Sequence, residues 1–416
     1  MNSARRSETL ATFVRLDKGK PPLIQPYDGP DAELYLTPEY LRGRSSAEFV
    51  KPSPNAVHVM DGETIVLWDG SNAGEIFKAK HGILASTMTR VRPGTDYDAE
   101  YFYYALKGWE EYLKGQTSGS GIPHVDKEVL EKLTILACDK REQSSIAAIL
   151  STIDSAIERT EALIAKQQRI KAGLAGDLLT HGVDEQGRVR SRTTQEFRQS
   201  PMGMIPVSWR CEPLAVFVPS AEYGISSSLG DSGQPVLRMN NLSNGEADLT
   251  DLKFTAAPVP DRLWLRAGDV LFNRTNSWEH VGRTGIWRGQ HERTTFASYL
   301  VRLNPDRSIL SPELLNIWLN WPRTQIAMRR FATPGVQQVN INPTNLRALS
   351  AAFPNSLEEQ EVIVERVRAL DHVSATNRDT LAKLRALKRG LQQDLLTGRR
   401  RVTPLLEADR AQEQVA

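Results

Sequence analysis

The segment from Arg141 to Thr180, which opens on Arg141-Glu142-Gln143 and closes on Gly173-Leu174-Ala175-Gly176-Asp177-Leu178-Leu179-Thr180, decides the fold of this 416-residue chain. The segment from Glu358 to Thr397 aligns with it without gaps at a constant offset of 217 residues, and 13 of the 40 aligned positions are identical. Chance rarely gives such agreement, so the chain contains an internal duplication.

Both copies carry apolar residues at spacings close to a helical period, which is typical of helices with one apolar face. A helix of about 60 Å, at roughly 1.5 Å per residue, cannot bury that face inside one small domain. The simplest partner for each copy is the other copy, so we expect an antiparallel coiled-coil pair. The positions that we expect at the contact between the two helices are Ile146, Leu150, Ile153, Leu174, Ile363, Val367, Leu370 and Leu391.

A block rich in Gly, Pro and aromatic residues precedes each helix, and its short apolar runs are typical of strands. In both blocks a strand pattern leads into a polar loop, at 64–72 and at 269–277. Both blocks end on a small-residue loop before the helix, at 119–125 and at 333–339. Between these features the two blocks diverge.

The sequence therefore predicts an α/β (α+β) fold with two globular domains joined by two long antiparallel coiled-coil helices in a pseudo-twofold arrangement. The expected segments are a first domain at 1–140, a central helix at 141–180, a linker at 181–208, a second domain at 209–357, a C-terminal helix at 358–397 and a tail at 398–416.

Composition limits the class of protein. Apolar residues at 40% and charged residues at 25% describe a chain that folds rather than a disordered or collagen-like one. The basic start of the chain is not followed by an apolar run, and no run approaches transmembrane length. The two cysteines, Cys138 and Cys211, are too few for a disulfide framework. We expect a cytoplasmic protein without a membrane partner.

No motif in the sequence is specific enough to predict a catalytic site. An Asn/Asp-Pro-Pro-aromatic loop of the adenine methyltransferase kind is missing, and so is a phosphate-binding Gly-x-x-x-x-Gly-Lys-Ser/Thr loop. The seven histidines show no paired metal spacing. A lone acid-x-lysine match, Asp251-Leu252-Lys253, is a weak nuclease signal. We therefore expect no catalytic residue, no metal site and no bound cofactor.

A net charge of +2 is weak evidence for a nucleic-acid partner, so individual residues must carry that argument. Arg and Asn supply the bidentate contacts that distinguish guanine and adenine edges. In the second block Arg274, Asn276 and His280 are the candidate DNA contacts, and the alternative is that their loop shapes the domain or touches phosphate. In the first block the candidates are Ser71, Asn72, Lys78 and Lys80. Three basic clusters, around Arg190, at Arg329-Arg330 and at Arg399-Arg400-Arg401, are of a kind more often found on solvated surfaces.

The chain resembles the specificity subunits of type I restriction-modification systems over nearly its whole length. The resemblance is carried by the duplicated Glu-Gln opening, the duplicated Asp-Leu-Leu-Thr ending and the stretch Met202 to Trp209 before the second block. It implies two target-recognition domains, each of which binds one half of a split sequence in double-stranded DNA. It also implies two modification subunits that carry S-adenosylmethionine and methylate adenine, and restriction subunits, the motor-nucleases, which would use ATP.

Two alternatives remain at this point. The chain could be a coiled-coil interaction protein without sequence-specific DNA binding, or the specificity part of a related fused restriction enzyme.

Overall fold

The computed structural model describes residues 7–118, 121–193, 196–335 and 338–402. The chain forms two compact units, one of Met1–Ala162 with Arg378–Ala416 and the other of Leu163–Asn377. The segments expected from the sequence set both long helices apart from the domains. In the structure each unit instead contains a globular domain with part of both helices, because the helix halves pack into the domain cores. Of the expected tail, residues 403–416 lie outside the described residues.

The first unit is built from short strands around a few helices. Its strands are β1 (Ser7–Thr9), β2 (Arg15–Lys18), β3 (Glu33–Leu36), β4 (Phe49–Val50), β5 (His58–Val59), β6 (Thr64–Leu67), β7 (Ile76–Lys78), β8 (Gly82–Leu84), β9 (Met88–Arg92) and β10 (Thr134–Leu136). Its shorter helices are α1 (Pro38–Leu41), α2 (Ala99–Lys107), α3 (Glu110–Gly115) and α4 (Lys127–Lys132), with a 3-10 turn at Leu10–Thr12.

Two four-stranded sheets organise this domain, in the orders β2-β9-β6-β7 and β4-β3-β8-β5. All four residues of β6 are buried, as expected for the central strand of a domain. The side chain of Asp98 caps α2 by accepting from the backbone of Glu100 and Tyr101, and the aromatic residues of that helix fill the core.

The linker and second domain contain β11 (Phe197–Ser200), β12 (Gly203–Pro206), β13 (Trp209–Pro213), β14 (Ser220–Tyr223), β15 (Gln234–Leu237), β16 (Leu242–Ser243), β17 (Gly245–Ala247), β18 (Lys253–Thr255), β19 (Val270–Asn273), β20 (Thr275–Asn276), β21 (Thr284–Ile286), β22 (Thr295–Phe296), β23 (Leu300–Asn304), β24 (Ala332–Pro334), β25 (Val339–Ile341) and β26 (Ser350–Pro354). The helices are α6 (Leu214–Phe217), α7 (Pro312–Asn320), α8 (Pro322–Arg329) and α9 (Pro343–Arg347), with a 3-10 turn at Asp261–Leu263.

The main sheet of this domain has the order β14-β23-β19-β21-β17-β16, and a smaller sheet has the order β18-β15-β22. The segment expected as a linker is more structured than predicted. It contains the antiparallel hairpin β11–β12, and Ile205 of that hairpin belongs to the core of the second domain.

The main sheets of the two domains share the order of four strands in spite of their divergent sequences. Strands β2, β9, β6 and β7 correspond in pairing to β14, β23, β19 and β21. Gly19 directly follows β2 and Gly224 directly follows β14. At both glycines the backbone passes close to another strand, which supports the correspondence. A Cβ atom on either would lie 2.1 Å from a backbone carbonyl oxygen, of Ala85 or of Phe296 respectively.

The long helices are α5 (Lys140–His181) and α10 (Leu357–Leu396), within one residue of the predicted bounds at each end. In the first unit, Ile146 and Leu150 near the start of α5 share a cluster with Leu391 and Leu395 near the end of α10. In the second unit, Leu174 packs on a cluster that contains Ile363 and Val367. The helices therefore run antiparallel within each unit, and the fold class is confirmed.

The predicted helix contacts have an additional role. Ile146, Leu150, Ile363 and Val367 also pack against the cores of the globular domains, so they are not simple coiled-coil contacts. Ile153 is buried and Leu370 is half-buried.

The glutamates of the two Glu-Gln openings bind arginines and so fix the start of each long helix. Glu142 accepts two bonds from Arg401, at 2.8 and 2.5 Å, and Glu359 pairs with Arg190 and accepts from the indole N–H of Trp209 at 3.0 Å. Each glutamate at a helix start thus binds an arginine from the segment that follows the other helix. The basic clusters around Arg190 and at Arg399-Arg400-Arg401 therefore each contribute one arginine to a structural ion pair.

Candidate nucleic-acid interface

The loop that follows the central strand is held in the same way in both domains. In the second domain β20 pairs with β25, which also pairs with β24. In the first domain, isolated bridges from His124 to Asp69 and to Ser118 join the corresponding three segments. The sequence similarity of 119–125 to 333–339 indicated a shared ending, although positions 119, 120, 336 and 337 lie outside the described residues.

A short helix packs on this loop in each domain, and a glycine permits the close approach. A Cβ atom on Gly282 would lie 2.8 Å from the Sδ of Met328 in α8, and one on Gly74 would lie 2.8 Å from the backbone N of Lys114 in α3. Both glycines have positive φ, 87° and 95°, which other residues rarely adopt. The Gln325 amide also donates to the carbonyl of Gly282 at 2.8 Å. The base of each loop is therefore fixed.

The three predicted residues of the second domain lie on this one loop but differ in access. The Arg274 guanidinium lies 5.0 Å from the ring centroid of Tyr223, and its Nε is buried with no partner among the described residues. His280 is exposed at the tip. Asn276 is only 7% exposed, and its Oδ1 accepts from the backbone N–H of Ser277 at 2.8 Å. A base contact by Asn276 would need a local opening, and DNA contact by all three stays a prediction.

The four predicted residues of the first domain fall into two groups. Ser71 and Asn72 are exposed on the loop after β6. Lys78 lies in β7, where its Nζ donates to Glu100 at 2.6 Å and stands over the rings of Tyr103 and Tyr104. Lys80 is exposed and lies 4.9 Å from the ring centroid of Tyr40. The structure does not place the two lysines on the loop, and their DNA contacts also stay predictions.

Aromatic residues next to the second loop were not predicted from the sequence. Trp278 at the loop tip is 54% exposed, and its position inside a polar loop is a signal that could have found it. Tyr223 at the end of β14 and Tyr299 in the turn before β23 are nearly half exposed and flank Arg274. Only strand pairing brings them there, so no local pattern reveals them.

Arginines at the end of α8 add positive charge to the same surface. Arg329 donates to the backbone carbonyl of Glu279 in the loop at 3.5 Å, and the adjacent Arg330 is exposed. Trp278, His280, Arg274, Arg329 and Arg330 thus combine aromatic rings with cationic donors, which is the chemistry that contacts bases and phosphates.

Below the loops, an arginine joins the strands of each main sheet, and it is buried in the second domain and partly exposed in the first. Arg302 in β23 pairs with Glu222 of β14 and, at 2.9 Å, with Asp269. Arg90 in β9 pairs with Asp17 at 2.8 Å and with Glu63 at 3.2 Å. Burial acts to lower the pKa of Arg302, but the carboxylates of Glu222 and Asp269 together raise it by more than burial lowers it. The pKa is therefore above its ordinary value, and the guanidinium stays charged.

The structure also bears on the nuclease-like sequence match, possible metal ligands and possible membrane spans. Asp251 pairs with Arg238 and Lys253 with Asp231, so the acid-x-lysine match is divided between two surface ion pairs. Within the described ranges, no three His, Cys, Asp or Glu residues are grouped as metal ligands. Nor is any helix of those ranges both long and apolar enough to cross a membrane.

The two domains share a strand order and present an equivalent loop, so the fold defines a protein built from two related domains. A family model described as the type I restriction modification DNA specificity domain matches residues 16–167. The specificity subunit of the type I restriction enzyme MjaVIII of Methanocaldococcus jannaschii is 30% identical over 414 residues, covering 95% of this chain and 93% of that relative. The chain therefore belongs to the family of type I restriction enzyme specificity subunits.

Further similarities agree with that assignment. The EcoBI specificity subunit of Escherichia coli is 24% identical over 411 residues, covering 90% of this chain and 84% of the relative. The crystal structure of the type I restriction-modification system S subunit from M. genitalium has a TM-score of 0.58 at 15% identity and covers 95% of this chain and 96% of that one. This last similarity concerns the fold.

Proposed function

We propose that this chain is the non-catalytic, DNA-reading component of a cytoplasmic type I restriction-modification complex. Each globular domain binds one half of a split target in double-stranded DNA. The observation that carries the proposal is the equivalent loop on each domain, which in the second domain is surrounded by exposed aromatic and cationic side chains. Such groups supply base and phosphate contacts.

The chemistry would reside on partner subunits. Two modification subunits would bring S-adenosylmethionine and methylate adenine, and restriction subunits would bring ATP-driven translocation and cleavage. Sequence motifs for these activities were not found in this chain, which supports the division of labour. Family membership also favours this function over a coiled-coil interaction protein without DNA specificity.

Selection of bound duplexes from a random pool, with modification subunits present, tests the proposal. The expected product is one two-part sequence with a fixed spacer. Retention of random sequences without enrichment would contradict it. In a parallel assay with labelled S-adenosylmethionine, the chain alone should transfer no methyl group, and incorporation by the purified chain would contradict the non-catalytic role.

A further inference from the structure

The pairing of the strands shows which two positions of the first domain are equivalent to which two of the second, beside the loop that follows each central strand. In the first domain Arg90 lies opposite Asp17 on one side and Ile65 on the other. In the second domain Arg302 lies opposite Glu222 and Leu271. Counting along the strands from these pairs, Lys18 corresponds to Tyr223, and Trp68 corresponds to Arg274.

The backbone contacts confirm this correspondence. The N–H of Trp68 donates to Thr87 and the N–H of Arg274 donates to Tyr299, each from the residue that follows a central strand. Gly19 and Gly224, which directly follow Lys18 and Tyr223, make the same close crossing described above.

At these positions each domain has one cationic and one aromatic side chain, but the position that holds the cation in one domain holds the ring in the other. The Nζ of Lys18 lies 5.7 Å from the ring centroid of Trp68, and the guanidinium of Arg274 lies 5.0 Å from the ring centroid of Tyr223. A cation over an aromatic ring is held in place while its outward N–H groups remain able to donate. The exchange preserves a cation–ring couple although no residue is shared.

The couples differ in their charge balance. In the first domain the carboxylate of Asp69 forms a salt bridge with Lys18. The residue that corresponds to Asp69 is Thr275, since they directly follow Trp68 and Arg274 and pair with His124 and Asn340, respectively. Thr275 has no charge, and the buried Nε of Arg274 has no partner among the described residues. Among the residues that the structure describes, no carboxylate forms a salt bridge with Arg274, whereas Asp69 neutralises Lys18.

We propose that Lys18 with Trp68 and Arg274 with Tyr223 are the DNA-contacting couples of the two domains, and that Asp69 weakens the contribution of the first couple. The proposal rests on the proposed function, because it names the residues that bind within each half-site. The ligand group is a hydrogen-bond acceptor on duplex DNA, either a phosphate oxygen or a guanine edge.

The test uses the full chain with its modification subunits and a duplex that carries the selected target. Arg274→Met should weaken binding about 5- to 150-fold, the range for loss of one good bidentate contact. Asp69→Asn should tighten binding and steepen the dependence of log affinity on log salt by about one unit, because it frees one cation for phosphate. Asp69→Asn combined with Lys18→Met should remove that gain.

The role of the ring is tested at Tyr223. Tyr223→Phe should bind like the natural protein, whereas Tyr223→Leu should weaken binding, since only the ring is needed.

Substituted half-sites distinguish the two sources of acceptor. If Arg274 contacts a guanine edge, Arg274→Met relaxes preference at one base pair, and if it contacts phosphate, affinity falls on every sequence and the salt slope decreases by about one unit. Either result supports the proposal. Unchanged affinity for both Arg274→Met and Asp69→Asn, with unchanged melting curves, would overturn it. A natural complex that prefers no sequence would instead overturn the proposed function, so the two failures are distinguishable.

Discussion

Lys388 in the second half of α10 forms a salt bridge with Asp154 in the first half of α5. The same two repeat positions meet in the other unit, where Lys171 forms a salt bridge with Asp371. Residues 154 and 171 lie 217 positions before 371 and 388, so both bridges follow the offset of the sequence repeat. Two identities in the alignment, Asp154 with Asp371 and Lys171 with Lys388, are thereby explained by antiparallel contact between the helices.

Replacement of these lysines should reveal unequal contributions. The side chains of Lys388 and Asp154 are 25% and 26% exposed, and Asp154 also accepts from the hydroxyl of Tyr104 at 2.8 Å. Lys388→Met should lower the free energy of unfolding by about 1–2 kcal/mol, whereas Lys171→Met, beside the more exposed Asp371, should cost less than about 1 kcal/mol. Urea denaturation measures both. A larger loss for Lys171→Met would contradict this ranking.

The glutamines of the Glu-Gln openings should be among the most sensitive positions of the helices. The buried Gln360 amide donates to the carbonyls of Ile309 and Pro354, both at 2.9 Å, and accepts from the N–H of Ser311 at 2.8 Å. Gln360→Ala leaves these groups unpaired and should cost about 2–3 kcal/mol. Gln143 makes the same three kinds of contact with Cys138, Asp96 and Asp98 and should respond alike.

Hydrogen exchange offers a local measurement of this effect. Ser311 is the capping residue of α7, so Gln360→Ala should accelerate amide exchange in the first turn of that helix. The exposed Gln168 of α5 is the control, and Gln168→Ala should change stability by less than about 0.5 kcal/mol. Equal effects of Gln168→Ala and Gln360→Ala would refute the docking role.

The buried arginine of the second domain should contribute strongly to the stability of the folded chain. Arg302→Met leaves the carboxylates of Glu222 and Asp269 without their shared partner and should cost about 3–5 kcal/mol. Arg302→Lys should not restore full stability, because one ammonium cannot reproduce the contacts of a planar guanidinium with both acids and with the carbonyl of Trp264. Thermal melting with the exposed Arg307→Met as control provides the measurement. A melting temperature equal to that of the control would rule out this role.

The thiol of Cys138 should react slowly near neutral pH. Burial is the largest cause that raises its pKa, to about 11, although a hydrogen bond with Tyr101 acts in the opposite direction. At pH 8 only about one thiol in a thousand would be ionised, and the thiolate is the reactive form. Alkylation followed by peptide mass mapping should show a rate that rises about tenfold per pH unit up to about pH 11. A rate that levels off near pH 8.5 would contradict the raised pKa.

Local patterns predicted the parts of this fold that repeat with a helical period. The two long helices were located to within one residue because their apolar spacing extends over many turns. The hairpin β11–β12 inside the expected linker was missed, since its two strands are short and alternate weakly. Lys78, which was a candidate DNA contact, lies in β7, where Glu100 and two tyrosines hold its ammonium group.

The sequence by itself determined the duplication, the antiparallel use of two helices and the family, because identities at a fixed offset and helical spacing are properties of the chain order. Only the tertiary structure decided which side chains surround the candidate DNA surface. Lys18 and Trp68 are 50 positions apart and Tyr223 and Arg274 are 51 apart, and only strand pairing places each cation beside its ring. No local pattern encodes such a contact, since pairing between distant strands depends on burial of the whole sheet.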